Sequence, residues 1–191
     1  MEKYVKLSEQ QWHKIESKRS IRQFKKGDII LHQGEVCKEL HFIARGLARA
    51  FLIDESGKDF TWNVFFNDEN AAVNNLFVID FKSFLLQEPA SFQIEALEEL
   101  ELVSISFSDH KNSMLAFQKG MEFSYKMCNE AYFYLHDLAL QRQTKSAKER
   151  FEIFMQKTPF LLHKVPQYHI ASYLGITPQH LSRLRASYEQ M

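Results

Sequence analysis

The chain reads as an α+β protein: an N-terminal β-jelly roll, one long dimerisation helix and a C-terminal all-α helix-turn-helix domain. Three patterns predict this. Short β-prone apolar runs separated by glycine turns fill residues 21–66. A heptad spacing of apolar and small residues runs from Met114 to Leu138. Two short amphipathic helices flank a glycine turn between Pro166 and Arg185. The boundaries implied are a β-domain over 1–110, the dimerisation helix and hinge over 111–143, and the helix-turn-helix domain over 144–191.

In order, Ser8 to Arg19 reads as a helix capped by Ser8, with Trp12 and Ile15 on one face, and its role is packing. The strand candidates are Ile21–Phe24, Asp28–Leu31, Leu40–Ile43, Leu47–Ile53 and Phe60–Phe66. Turns fall at Lys26-Gly27, Gln33-Gly34-Glu35, Arg45-Gly46 and Asp54-Glu-Ser-Gly57. Phe92-Gln-Ile-Glu-Ala96 alternates as a half-buried strand does, and Leu100–Ile105 follows it.

Ser108-Asp-His110 opens the long helix. Met114, Phe117, Met121, Ser124, Cys128, Ala131, Leu135 and Leu138 recur at spacings of three and four, a seam for a second copy of the chain. Tyr125, Tyr132 and Ala139 flank it, and the alternative is a helix packed on its own β-domain. Gly120 marks a bend near the helix start. Gln141–Lys148 is polar and basic and reads as the hinge. Ala147–Lys157 is amphipathic, with Phe151, Phe154 and Met155 on one face, and Thr158-Pro159 stops it. Ile170, Ala171 and Leu174 then give one apolar face, Gly175 turns the chain, Thr177 caps, Pro178 takes the first helical position, and Leu181 and Leu184 mark the buried face of the last helix.

That motif places a helix in the major groove of duplex DNA. Thr177, Pro178, Gln179, His180, Ser182 and Arg183 would face base edges. Arg183 suits a bidentate contact to guanine and Gln179 one to adenine. Tyr168, His169 and Ser172, with Lys164 and Arg185, would lie near phosphate. An ordinary helical hairpin is the alternative.

Composition bounds the rest. The 191 residues are 45% hydrophobic and 25% charged, ordinary values for a globular protein. No apolar run approaches a membrane span, and Met1–Leu7 lacks a signal peptide's core, so a cytoplasmic protein away from membranes is expected. The two cysteines, Cys37 and Cys128, are far apart, and the eight histidines form no HxH or HExxH pair, so no metal site is expected. Net charge is zero, but from Gln141 onward eight Lys/Arg face three acids, while sixteen Lys/Arg face twenty-one acids before it. An acidic body with a basic tail fits a protein whose tail alone meets phosphate.

The run Phe24-Lys-Lys-Gly-Asp-Ile-Ile-Leu-His-Gln-Gly-Glu35, then Leu40-His-Phe-Ile-Ala-Arg-Gly-Leu-Ala-Arg49, resembles the cyclic-nucleotide-binding domain. With the terminal helix-turn-helix, the chain from Phe24 to Arg185 resembles the Crp/Fnr family of bacterial transcription regulators. The resemblance implies a homodimer reading a palindromic operator, with RNA polymerase as a further partner. It also places the ligand segment within Asn67–Gln87. Counting back from Leu100–Ile105, the family's phosphate-binding Arg falls on Ala90, its hydroxyl partner on Ser91 and its ribose-binding Glu on Asp80, with Ile79 in place of the paired glycine. Lys82 could reach in, but nothing in the sequence requires it. A cyclic phosphate without a cation loses a charge-assisted hydrogen bond, so cyclic AMP is not expected in its usual form, and the effector is left open. Asp80 reads as a helix cap in preference to a ligand carboxylate, and Phe77, Phe81, Phe84 and Phe92 as core that also makes the pocket apolar. Members often carry a β-hairpin before the motif and a wing after it; Lys157–Pro166 is too short for the hairpin, so a minimal, wingless domain is expected. Two alternatives remain: a ligand- or protein-binding module without DNA binding, and a cupin-like metalloenzyme, against which the missing HxH pair counts. No cofactor and no catalytic residue is assigned.

Overall fold

The computed structural model describes residues 5–69, 71–73 and 75–189. Helix α1 (Glu9–Glu16) starts at Ser8 through a capping box: Ser8 accepts the Gln11 N–H, and the Gln11 side chain accepts the Ser8 N–H. It is shorter than the sequence implies, and Trp12 is 39% exposed, so Ile15 alone anchors it as a buried residue.

Eight strands follow: β1 (Ser20–Phe24), β2 (Ile29–Leu31), β3 (Glu39–Arg45), β4 (Leu47–Ile53), β5 (Asp59–Phe66), β6 (Phe77–Val78), β7 (Gln93–Ala96) and β8 (Leu100–Ser106), with helix α2 (Phe81–Leu86) between β6 and β7. They form two four-stranded antiparallel sheets, ordered β1-β8-β3-β6 and β2-β7-β4-β5. Leu40 and Leu102 from one sheet and Ala48, Ala50 and Ile94 from the other belong to one buried core. This is the predicted jelly roll.

The second sheet is buried on both faces. Leu47, Val64 and Phe66 point away from the first core and join Phe151, Phe154, Ile170 and Leu174 in a second one. The apolar residues of β4 and β5 therefore run nearly unbroken in sequence instead of alternating with polar ones.

The segment after β8 differs from the expected long helix. Helix α3 (Phe107–Asp109) passes into a wide π-helical turn (His110–Met114), and α4 (Gln118–Thr144) begins only after a break. Gly120 permits this close turn: a Cβ there would lie 1.7 Å from the Met114 carbonyl oxygen, so no larger residue fits without a shift. The expected hinge at Gln141–Lys148 is a second correction. Helix α4 continues to Thr144, and α5 (Ala147–Lys157) starts from a Ser146–Glu149 capping box, which leaves two residues between helices. Helices α6 (Leu161–Lys164), α7 (Gln167–Leu174) and α8 (Pro178–Glu189) complete the chain, and no strand lies between α5 and α7 among the described residues. No helix is long and apolar enough to cross a membrane among the described residues.

Candidate nucleic-acid interface and effector cavity

The α7–α8 turn is built from its sequence. Gly175 sits at φ 68°, where a side chain is disfavoured, and the Ile176 and Gly175 N–H groups return to Ala171 and Ser172 carbonyls. Ala171 and Leu181 are fully buried where the two helices cross. Thr177 accepts the His180 N–H at 3.2 Å, which starts α8. Arg150 of α5 donates to the Leu174 carbonyl at 2.9 Å and closes the end of α7.

Helix α8 turns Leu181 inward and leaves Thr177, Pro178, Gln179, Ser182 and Arg183 exposed, with His180 and Arg185 half-buried. Arg183 Nε lies 3.4 Å from the Gln179 carbonyl and Arg185 4.0 Å from Glu189, so neither guanidinium is tightly held. Tyr168 is 56% exposed at the start of α7. Lys164, expected near phosphate, lies 3.4 Å from Asp68.

His169 and Ser172 correct the sequence reading: both face the protein. His169 is 4% exposed, with Nδ1 4.0 Å from Asp59 and no hydrogen-bond partner among the described residues. Burial, and then the Arg49 guanidinium, push this imidazole down to about 4, against the pull of Asp59. Ser172 Oγ accepts the Thr61 backbone N–H at 2.8 Å. The first helix of the motif is thus docked on β5.

Two arginines that the sequence reading passed over organise this junction. Arg49, 3% exposed on β4, donates to both carboxylate oxygens of Asp59 at 2.6 Å, to Glu95 at 2.6 Å and to Thr61 Oγ1 at 2.9 Å, with its guanidinium 3.9 Å over the Phe51 ring. Arg142, near the end of α4, donates to the carbonyls of Tyr173 at 2.8 Å and Thr61 at 3.3 Å, over the rings of Phe60, Trp62 and Tyr173. Tyr134 and Tyr173 share a hydroxyl hydrogen bond of 2.7 Å beside it. The one sequence clue to Arg49 was a cation inside an otherwise apolar strand; Arg142 gave none.

The expected dimer seam is divided. Ser124 is 8% exposed and bonded to His110 Nε2 at 3.1 Å, Leu138 packs on the second core, and Ala131 faces the β-domain. These three lie against their own protomer and correct that part of the seam. Phe117 and Cys128 pack at the edge of the first core. The outward stripe is one position round: Met121, Tyr125 and Tyr132 are 50%, 68% and 63% exposed, and Cys128, Leu135 and Ala139 continue their four-three spacing.

Between α2, β5 and α4 lies a cavity of about 190 Å³. Its walls include Trp62, Phe65, Phe77, Phe92, Ala131 and Leu135. Of the four predicted ligand residues, Asp80 and Lys82 line it. Asp80 caps α2: one oxygen accepts the Ser83 N–H and the other the Ser91 N–H, each at 3.1 Å. Lys82 is mostly exposed and 3.4 Å from Glu88. Ala90 is buried and its backbone pairs with Gly34 and Glu35, while exposed Ser91 contributes its N–H to Asp80. A wider cleft of about 380 Å³ lies between α4, α5 and α7. Among the described residues no group of three or more His, Cys, Asp or Glu could hold a metal ion.

The cyclic nucleotide-binding domain family model matches residues 21–116, which spans β1 to the π-helical turn. No curated protein matches the chain. Solved structures share its whole architecture. FixK2 from Bradyrhizobium japonicum superposes with a TM-score of 0.74 at 13% identity, covering 90% of this chain and 85% of its own. A transcriptional regulator of the Crp/Fnr family from Eubacterium rectale gives 0.70 at 18% identity, covering 96% and 84%. The c-di-GMP-responsive global regulator CLP from Xanthomonas campestris gives 0.66 at 10% identity, covering 96% and 92%. At these identities the likeness is one of fold.

Proposed function

From the premise that this chain belongs to the cyclic nucleotide-binding domain family and has the Crp/Fnr architecture, we propose that it is a homodimeric, DNA-binding transcription regulator. The carrying observation is α8: a capped helix that buries Leu181 and presents Gln179, Ser182 and Arg183 to solvent from its first two turns. The excess of basic residues after Gln141 supports the reading. So does the apolar stripe of Met121, Tyr125 and Tyr132 on α4, since two copies joined there would present two α8 helices to one palindrome, with half-sites about one DNA turn apart. The β-domain is the sensor, and the described residues lining its cavity include no buried cation of the kind a cyclic phosphate needs.

Selection of duplexes from a random pool, followed by anisotropy titration across salt concentrations, tests this. A palindromic site whose affinity falls steeply with salt is the expected result. Absence of duplex binding at low salt would leave a ligand- or protein-binding module instead.

A further inference from the structure

The effector cavity has a chemistry of its own, set by one unpaired amide. Asn75 Nδ2 donates to the Val64 carbonyl at 2.8 Å and to Asn63 Oδ1 at 2.9 Å. A carbonyl oxygen can only accept, so the bond to Val64 fixes which end of Asn75 is the donor, and Asn63 must then present its oxygen to it. This leaves the Asn63 NH2 without a partner among the described residues, on a residue only 4% exposed that lines the cavity. That NH2 opens on the cavity, where an acceptor on a ligand can meet it.

The other walls exclude charge. Aromatic rings and the Ala131 and Leu135 side chains make most of the surface. Both Asp80 oxygens are already held by backbone N–H groups. Lys82 also lines the cavity, but its side chain is 67% exposed and its ammonium lies 3.4 Å from Glu88, so its charge is solvated and already paired. An anion entering here would have to be desolvated against that one solvent-facing, already paired cation, at large cost. Size narrows the class further. Pockets for drug-sized ligands run from about 300 Å³ upward, whereas an apolar cavity of about 150 Å³ takes benzene; this one is about 190 Å³.

We propose that the effector is a small, uncharged molecule with one aromatic ring and one acceptor oxygen, the ring against Trp62 and Phe92 and the oxygen on the Asn63 NH2. The inference rests on reading the β-domain as the sensor of a regulator. It also gives the ligand a route outward, because Ala131 and Leu135 belong to α4, and Leu135 lies on the outward stripe. A ligand that fills the cavity in only one packing of α4 shifts the population toward that packing.

The test uses the 191-residue chain carrying Trp12→Phe, which leaves Trp62 as its only tryptophan. Benzaldehyde, phenol, toluene, benzoate and cyclic AMP are titrated against its fluorescence and its melting point. Benzaldehyde and phenol should bind saturably, raise the melting point by several degrees, and bind about tenfold more tightly than toluene, which lacks the oxygen. Ala131→Phe should fill the cavity and abolish both responses while the unliganded protein still melts cooperatively; Leu135→Phe repeats the block one turn on. Binding of benzoate or cyclic AMP without the neutral probes overturns the proposal, as does binding of no probe. Duplex titration on the same samples separates the two readings. Neutral probes bound with no DNA binding would uphold the ligand class and sink the regulator; DNA bound with no probe response would do the reverse.

Discussion

Ser172 of the helix-turn-helix accepts the backbone N–H of Thr61 on β5 at 2.8 Å, across 111 residues of sequence. The bond ties the first helix of the motif to the sensor sheet, and Arg142 ties both to the long helix through the Thr61 and Tyr173 carbonyls. Three elements therefore meet at one strand residue.

Arg142→Met should unfasten that junction. The variant keeps a chain to fill the space but loses both carbonyl bonds and the guanidinium over three rings. A loss of about 2–4 kcal/mol in urea denaturation is expected. Arg142→Lys should recover less than half of it: one nitrogen serves both carbonyls, but an ammonium cannot reproduce the flat guanidinium over three aromatic rings. Equal stability of the Lys variant and the parent would show that charge alone is at work.

Gly120→Ala sets two effects against each other. Helix propensity favours alanine by about 1 kcal/mol. Against it stands the Met114 carbonyl oxygen, 1.7 Å from where the new carbon would sit, which is backbone and cannot rotate away. The clash should win, with a net loss of about 3 kcal/mol or more by thermal melting. A stabilised variant would mean that the turn over Gly120 is loose.

How far the sequence carries is shown by these same residues. Gly175, Thr177 and Pro178 have meanings that are local, so the helix-turn-helix was legible from one stretch. The first five strands were legible because glycine turns lie beside them, and β7 because its residues alternate. The face of α4 was not, because Ser124, Ala131 and Leu138 and their neighbours Tyr125, Tyr132 and Ala139 both repeat every seven residues. A heptad count cannot choose between adjacent rows; tertiary contacts do, such as the bond from His110 to Ser124 and the packing of Leu138 on the second core. Arg142 looked like part of a polar hinge because its partners, Thr61 and Tyr173, lie 81 and 31 residues away. His169 looked available to phosphate because nothing nearby in sequence reveals that β5 covers it.

Stability should fall in mild acid. Burial pushes His41 and His169 down from 6.5 to about 4 and lowers His110 as well. The unfolded chain takes up these protons near pH 6.5, while in the folded one His41 and His169 refuse theirs until near pH 4 and burial holds His110 below its usual value. The unfolded state therefore binds more protons throughout that window, and folding stability declines as pH drops through it. Each histidine contributes a slope of at most about 1.4 kcal/mol per pH unit. Urea midpoints from pH 7 to pH 4 read this directly, and a flat profile would show that the three imidazoles titrate normally.

Tyr132→Glu should separate the subunits. Tyr132 is 63% exposed in the middle of the outward stripe of α4, so a carboxylate there costs the lone protomer little. Facing its copy across a two-fold axis, it places two like charges in an apolar seam. Sedimentation should show a monomer, with operator affinity lower by about a hundredfold as the two half-sites lose their linkage. A variant that stays dimeric would move the interface off this stripe.

Arg183→Ala tests the reading helix itself. Arg183 is exposed, and its one side-chain hydrogen bond among the described residues is a marginal 3.4 Å approach to the Gln179 carbonyl. Removing it should change folding stability by less than about 0.5 kcal/mol. A bidentate contact to guanine, by contrast, is worth about 1–3 kcal/mol and is specific to one base pair. The expected signature is a five- to hundredfold weaker grip, about the range those energies span, with relaxed preference at a single operator position. A phosphate contact would instead weaken every sequence alike and lower the salt slope by about one. Anisotropy titrations of the selected operator and its single-base variants, at two salt concentrations, tell the two roles apart, and unchanged binding would remove Arg183 from the interface.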